Sequence, residues 1–411
     1  MTRKLQVLFL FLFVIFSLNL FDAQFLNTTA VNYLVYIFHI LGIVLSIPYL
    51  MSRPVGFVLP VQLIVLSILI SIPLASFSWD QGVYHTIIVT IPYMTWFLFF
   101  YLIRKNFQVK TIEKIILFYG VVYVILYLFQ FINAPTVFFG KSLWGDEFPV
   151  DRGITRIVFP GTGIFILAVF ISINKLTTES KGKLYWLAFS IIGIVIPVLQ
   201  VTRQFIAGIL LIYLFHFLMS QNAIRKILLV ACTSFAFLYI TSSDFVIFKG
   251  IAVSAKEDLG QGEEYIRVLA GRYFINDFSP TEMNMILGNG APYWGISPYG
   301  KFIEELAETQ GFYLSDVGIV GMYAMFGVLS VIGYILIWIK SFTYAVPKEF
   351  YYLKYYLWYL LLTSFTWFTV YHHHYLISTV FVLYLYQKVY QETYKRSYHK
   401  STSRMMYPVN V

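Results

Sequence analysis

Few residues in this chain are equipped for chemistry, and they fall in a definite order. Arg203 stands in Gln200-Val201-Thr202-Arg203-Gln204-Phe205, with apolar stretches on both sides. A guanidinium in so apolar a setting is costly and usually faces a cavity or a partner. Its planar fork can grip a phosphate through two parallel hydrogen bonds. The other reading is an arginine at a helix end whose stem lies along apolar surface while its head reaches water. Further on runs Glu263-Glu264-Tyr265-Ile266-Arg267-Val268-Leu269-Ala270-Gly271-Arg272-Tyr273-Phe274. Read as a helix, it sets Tyr265, Leu269, Arg272 and Asn276 on one stripe. Arg272 is then expected to face the rest of the protein and to offer a second anion site. Arg267 lies elsewhere, one turn from Glu263 and spaced for an i,i+4 ion pair. A surface arginine with a packed stem is the alternative for Arg272.

Ile286-Leu287-Gly288-Asn289-Gly290-Ala291-Pro292 reads as a turn-rich loop. Asp316, in Ser315-Asp316-Val317-Gly318, is either the N-cap of the apolar helix that follows or a base at the mouth of a site. His372, His373 and His374 are adjacent. On a regular helix their side chains fan out about 100° apart, which denies them a common metal ion. No metal site is expected.

These residues need a scaffold, and the composition says which kind. Of 411 residues 59% are apolar, 20% aromatic and only 12% charged, and mean hydropathy is +0.73. Soluble domains are nearer 45–50% apolar and 25% charged. A disulfide scaffold, a nucleic-acid module and a cytosolic enzyme are excluded, and an all-α polytopic membrane protein remains. The lone cysteine, Cys232, permits no internal disulfide and no thiolate metal site.

Apolar runs long enough to cross a bilayer recur near 5–21, 30–51, 55–77, 83–103, 115–138, 157–174, 184–200, 205–220, 227–243, 317–339, 355–370 and 376–390. Residues 184–220 would make a helix of roughly 55 Å, nearly twice the hydrocarbon thickness, so a hairpin at Arg203 is expected. A second hairpin is expected at Tyr371–Tyr375. With the N-terminus in the cytoplasm, the inner segments then hold 20 of the 29 basic residues and 4 of the 20 acids. The inner side nets +16 and the outer side −7, as the positive-inside rule requires. Four parts follow: N-terminal membrane helices over 1–243, an extracytoplasmic loop over 244–316, C-terminal membrane helices over 317–390 and a basic cytoplasmic tail over 391–411, disordered from Lys395. No acid falls within a span, which weighs against ion-coupled transport.

There is no G-x-x-x-x-G-K-[ST] loop and no D-x-D pair, and no cytoplasmic loop could house a nucleotide-binding domain. Chemistry is therefore expected at the outer face, on a lipid-linked substrate. A Thr-Arg at a mid-chain membrane hairpin is followed by Gly-Arg-aromatic in a late outer loop and a Leu-Gly-x-Gly turn. Then comes a polar residue ahead of the Gly-rich Asp316-Val317-Gly318-Ile319-Val320-Gly321-Met322-Tyr323-Ala324-Met325-Phe326-Gly327. This order resembles the O-antigen ligase and O-antigen polymerase (Wzy-like) superfamily of bacterial envelope proteins.

The resemblance implies a GT-C-like membrane glycosyltransferase of about twelve transmembrane helices in the bacterial cytoplasmic membrane. It would work without a cofactor on undecaprenyl-pyrophosphate-linked glycan, beside a flippase and a chain-length regulator, and would bind no nucleic acid. Arg203 and Arg272 map onto the family's pyrophosphate-binding arginines. Asp316 stands near the place where ligases carry a histidine, which favours the polymerase. A ligase-type transferase and a non-enzymatic flippase for lipid-linked oligosaccharide are the alternatives.

Overall fold

The computed structural model describes residues 2–53, 55–141, 147–151, 154–157, 159–200, 202–219 and 265–406. The expected span at 227–243, Cys232, Glu263 and the first part of the outer loop lie outside the described residues. The described chain is helical apart from a two-residue antiparallel pair, Val150–Asp151 with Ile154–Thr155, and a bridge between Thr136 and Glu147.

In chain order the helices are α1 (Arg3–Ser17), α2 (Thr28–Ser46), α3 (Val58–Ser78), α4 (Val83–Thr90), α5 (Leu98–Lys105), α6 (Val109–Ile132), α7 (Thr162–Thr178), α8 (Lys183–Leu199) and α9 (Arg203–Leu218). After the undescribed stretch come α10 (Ile266–Asn276), α11 (Glu282–Leu287), α12 (Pro298–Gln310), α13 (Ile319–Thr343), α14 (Tyr351–Thr363) and α15 (His373–Met406). Among the described residues five segments are long and apolar enough to cross a membrane: Thr28–Tyr49, Val58–Ser78, Val83–Lys105, Val109–Ile132 and Ile319–Thr343. α7, α8 and α9 are apolar but shorter. The protein is thus a multi-pass membrane protein.

Both expected hairpins coincide with helix breaks. α8 stops at Leu199 and α9 starts at Arg203, and α14 stops at Thr363 while α15 starts at His373. The expected span at 83–103 is not one continuous α-helix. It tightens to a 3-10 stretch over Ile91–Phe97 around Pro92, whose nitrogen donates nothing to the preceding turn. The segment expected as an outer loop contains, from Tyr265 to Asp316, three α-helices. The tail departs from the expected disorder, since α15 continues to Met406.

A third departure concerns Glu113. Expected on the inner side, just ahead of the span at 115–138, it lies in the first turns of α6, buried, accepting from the Tyr352 hydroxyl at 2.8 Å and facing Lys175 at 3.5 Å. The absence of an acid from the spans therefore does not hold.

α7 is the axis of the bundle. Every residue from Thr162 to Asn174 is buried, as expected of a helix that is apolar all round. α6, α8, α14 and α15 pack against it. One end of the bundle gathers the cations. Arg3 donates to the Lys105 carbonyl at 2.9 Å, Lys388 bonds the Asn106 side chain, and Lys175 meets Glu113 and Glu179. Asn174 closes the same end on the Glu349 carbonyl at 2.7 Å.

Towards the other end α13 is broken at Gly327 (φ 74°, ψ −174°). The turn after α11 fills the breach: Asn289 and Gly290 donate their N–H groups to the carbonyls of Ala324 and Met325 at 3.0 and 2.7 Å. Trp79 Nε1 donates to Asn289 Oδ1 at 2.9 Å, and Gln81 donates to the Ala291 carbonyl at 2.9 Å while accepting from the Tyr293 N–H at 2.8 Å. The Gly-x-Gly segment is therefore a plug in a membrane helix rather than a free loop.

Gly288 and Gly327 occupy backbone conformations that L side chains do not enter readily. A Cβ on either would meet the facing backbone at 2.4–2.5 Å. Gly288→Ala and Gly327→Ala should each destabilise the detergent-purified protein by about 2 kcal/mol or more. Gly271→Ala, mid-helix with nothing within 4 Å, should be neutral or stabilise by up to about 1 kcal/mol. Thermal unfolding read by size-exclusion recovery distinguishes them, and a Gly327→Ala protein that melts like the parent contradicts the tight fit.

Candidate functional site

Four pieces of chain converge at the end opposite the lysines. The first is the start of α7. Its first-turn Gly163 lies against the start of α15, where an added Cβ would sit 2.8 Å from both the His374 carbonyl oxygen and Tyr375 Cα. The second is the α8–α9 break. Pro197 weakens the last turn of α8. Beyond it the Thr202 hydroxyl donates to the Gln200 carbonyl at 3.1 Å, and Gln200 Nε2 donates to the Tyr123 hydroxyl at 2.9 Å. That hydroxyl lies 3.4 Å from Thr162 Oγ1, which stitches the break to the α7 start. Arg203 opens α9. Two residues on, the Phe205 ring packs 5.9 Å from Trp367 and 6.3 Å from Tyr375.

The third piece is the turn from Ser364 to His372. Ile319 donates its N–H to the Ser364 carbonyl at 2.7 Å, and the Tyr334 hydroxyl bonds the Val370 carbonyl, which ties the turn to α13. Within it Trp367 stacks on Phe368, and Phe368 lies 4.2 Å from the His372 ring. The fourth piece is a single 3-10 turn, Leu314–Asp316, held to the third by the Tyr371 hydroxyl donating to the Leu314 carbonyl at 2.6 Å.

Asp316 does not cap α13. The N-cap residue is Gly318, which has no side chain to cap with, and the first N–H, of Ile319, is taken by the Ser364 carbonyl. The carboxylate instead accepts from Arg267 Nη2 at 3.3 Å and from the Ser315 hydroxyl at 3.2 Å. This also revises the stripe. α10 buries Ala270 and Phe274 against α13 and turns Arg267 towards Asp316, whereas Leu269, Arg272 and Asn276 lie on its exposed face. Arg272 does not face the bundle. Arg267 makes a tertiary contact to Asp316, and α10 begins at Ile266; the expected i,i+4 partner Glu263 lies outside the described residues.

The histidines depart from expectation too. α15 starts at His373, so His372 belongs to the turn and its ring folds back over the other two. Centroid separations are 4.2–4.3 Å. Lys141, not singled out in the sequence, acts electrostatically on His373 and His374 and pairs with Asp22 at 3.6 Å. Burial pushes the Asp22 carboxyl up, while Lys141 and Asn19 pull it down. Asp22 and Asp316 thus each carry a cation partner. The starts of α7 and α9 aim positive dipole ends at the same region.

Compared with models of protein families, with curated proteins and with solved structures, the chain matches none.

The Arg267–Asp316 contact is open to direct test. Both side chains are partly exposed, at 21% and 30%, so the coupling should be modest, about 0.5–1 kcal/mol. Arg267→Asp and Asp316→Arg should each lower the thermal midpoint, and the double exchange should recover most of the loss. A double exchange no better than the sum of the singles would mean that the pair does not hold α10.

Proposed function

We propose that this protein is a membrane glycosyltransferase that polymerises undecaprenyl-pyrophosphate-linked oligosaccharide repeat units at the outer leaflet of a bacterial cytoplasmic membrane. The observation that carries the reading is the meeting of the α9 start at Arg203 and the Arg267–Asp316 pair on one aromatic turn, opposite the lysine-rich end. In the proposed topology the lysine-rich end and both termini are cytoplasmic. The chain crosses about twelve times, with 227–243 among the crossings, and residues 244–316 lie outside.

The reaction needs no nucleotide. An acceptor sugar hydroxyl attacks the anomeric carbon of the lipid-linked chain. The bond from that carbon to the pyrophosphate oxygen breaks, and undecaprenyl pyrophosphate departs with the bonding electrons. Arg203, reinforced by the helix dipoles, neutralises the leaving group where water is scarce and electrostatics are strong. In this reading Arg272 engages the same pyrophosphate, although α10 carries it on the exposed face and not towards the bundle. Asp316, oriented by Arg267, accepts the hydroxyl proton.

The flippase alternative gains one observation, the buried Glu113 beside Lys175, which offers the ionisable group that ion coupling requires. The accumulated intermediate separates the two. Loss of a polymerase leaves single repeat units on lipid exposed outside, whereas loss of a flippase leaves them facing the cytoplasm.

In a deletion strain complemented with variants, Arg203→Ala should abolish polymer laddering at normal protein level. Arg203→Lys should fail to restore it, because an ammonium lacks the bidentate fork. Asp316→Asn should reduce polymerisation by about 10²-fold or more, and Arg272→Ala should exceed Arg267→Ala in effect. Full laddering from Arg203→Ala would overturn the pyrophosphate role. A cytoplasmic signal from a reporter fused at Asp277 would overturn the topology.

A further inference from the structure

We propose that His372, His373 and His374 bind a divalent transition-metal ion of the zinc class at the turn into α15. Each imidazole offers one ligand atom, and the three atoms lie within 4.8 Å of one another. Three imidazole nitrogens around a tetrahedral zinc, each at about 2.0–2.1 Å, stand about 3.4 Å apart. The ligand atoms must therefore close by up to about 1.4 Å on binding. Consecutive residues of a regular helix could not converge in this way. Here they do, because the backbone changes from turn to helix between His372 and His373.

The hydrogen bonding leaves the rings available. Three imidazoles carry six ring nitrogens. Among the described residues one of them is engaged, His372 Nδ1, which accepts from the His374 N–H at 3.4 Å. That long bond marks Nδ1 as the nitrogen with the free lone pair and puts the proton on Nε2, so His372 coordinates through Nδ1, exchanging the N–H contact for the metal. The Phe368 ring, 4.2 Å from the His372 ring, steadies it.

An all-imidazole set selects zinc, copper or nickel over the hard cations, which require carboxylate and carbonyl oxygen. Lys141 is the cation nearest in effect, and Asp22 at 3.6 Å offsets its charge. Three histidine ligands leave a fourth position open to water or to an anionic oxygen. The inference does not depend on the glycosyltransferase reading.

The test uses full-length protein in detergent, carrying a non-histidine affinity tag, stripped with chelator and titrated with zinc alone against a chromophoric competitor. We expect one equivalent per chain with a dissociation constant on the order of 1 µM or below, and visible four-coordinate bands when cobalt replaces zinc. His372→Ala, His373→Ala and His374→Ala should each weaken binding at least about tenfold. His85→Ala and His216→Ala should leave it unchanged. Zinc should raise the thermal midpoint of the parent protein and not that of the triple variant. The proposal is overturned if the stripped parent binds no zinc at micromolar concentration, or if the triple variant binds it equally well. Because the parent titration alone can give the first of these results, a misfolded variant does not shelter the proposal.

Discussion

A peptide group inside an apolar layer must find a hydrogen-bond partner, since no water is there to supply one. α13 breaks this continuity at Gly327, and the carbonyls of Ala324 and Met325 take their donors from the turn at Asn289 and Gly290. The helical loop is thereby fastened inside the bundle rather than laid upon it. α10 packs on the same helix, α13, and carries Arg267 to Asp316, whose turn is also held by the Tyr371 hydroxyl. The geometry of the candidate site follows from one interrupted helix and the two glycines that let backbone meet backbone there.

Sequence periodicity reveals strong breaks and misses weak phases. The helix breaks at Arg203 and near His372 were legible because a bilayer limits helix length. The face of α10 was not legible. Ile266, Val268, Leu269, Ala270, Phe274 and Ile275 surround the helix with apolar groups, so no phase is preferred, and the docking surface on α13 decides which residues are buried. The break at Gly327 was invisible for a related reason. A lone glycine in an apolar run looks ordinary until its partner turn at Gly288 is in place. Asp316 illustrates a third limit. Its position ahead of an apolar helix suits a cap, but the chain spends one more turn before α13 begins, and a tertiary arginine claims the carboxylate.

The two ends of the bundle differ in kind. At the lysine-rich end cations meet backbone carbonyls and glutamates, closing the seams between helices. At the opposite end, arginines, imidazoles and the starts of α7 and α9 surround a turn built from Trp367, Phe368 and Tyr371. The first arrangement is a fastening. The second concentrates donors and positive potential beside aromatic faces, a setting suited to an anion carried on an apolar tail.

α7 has buried residues on every side, and its neighbours come from both halves of the chain. It leaves the ribosome long before α14 and α15 exist. During synthesis it must therefore wait with Ser172 and Asn174 unshielded by their final neighbours. The convergent end of the bundle then assembles last, when α15 closes on α7 at Gly163. The contacts that bring the four pieces of chain together therefore wait on α15, one of the latest helices to be made.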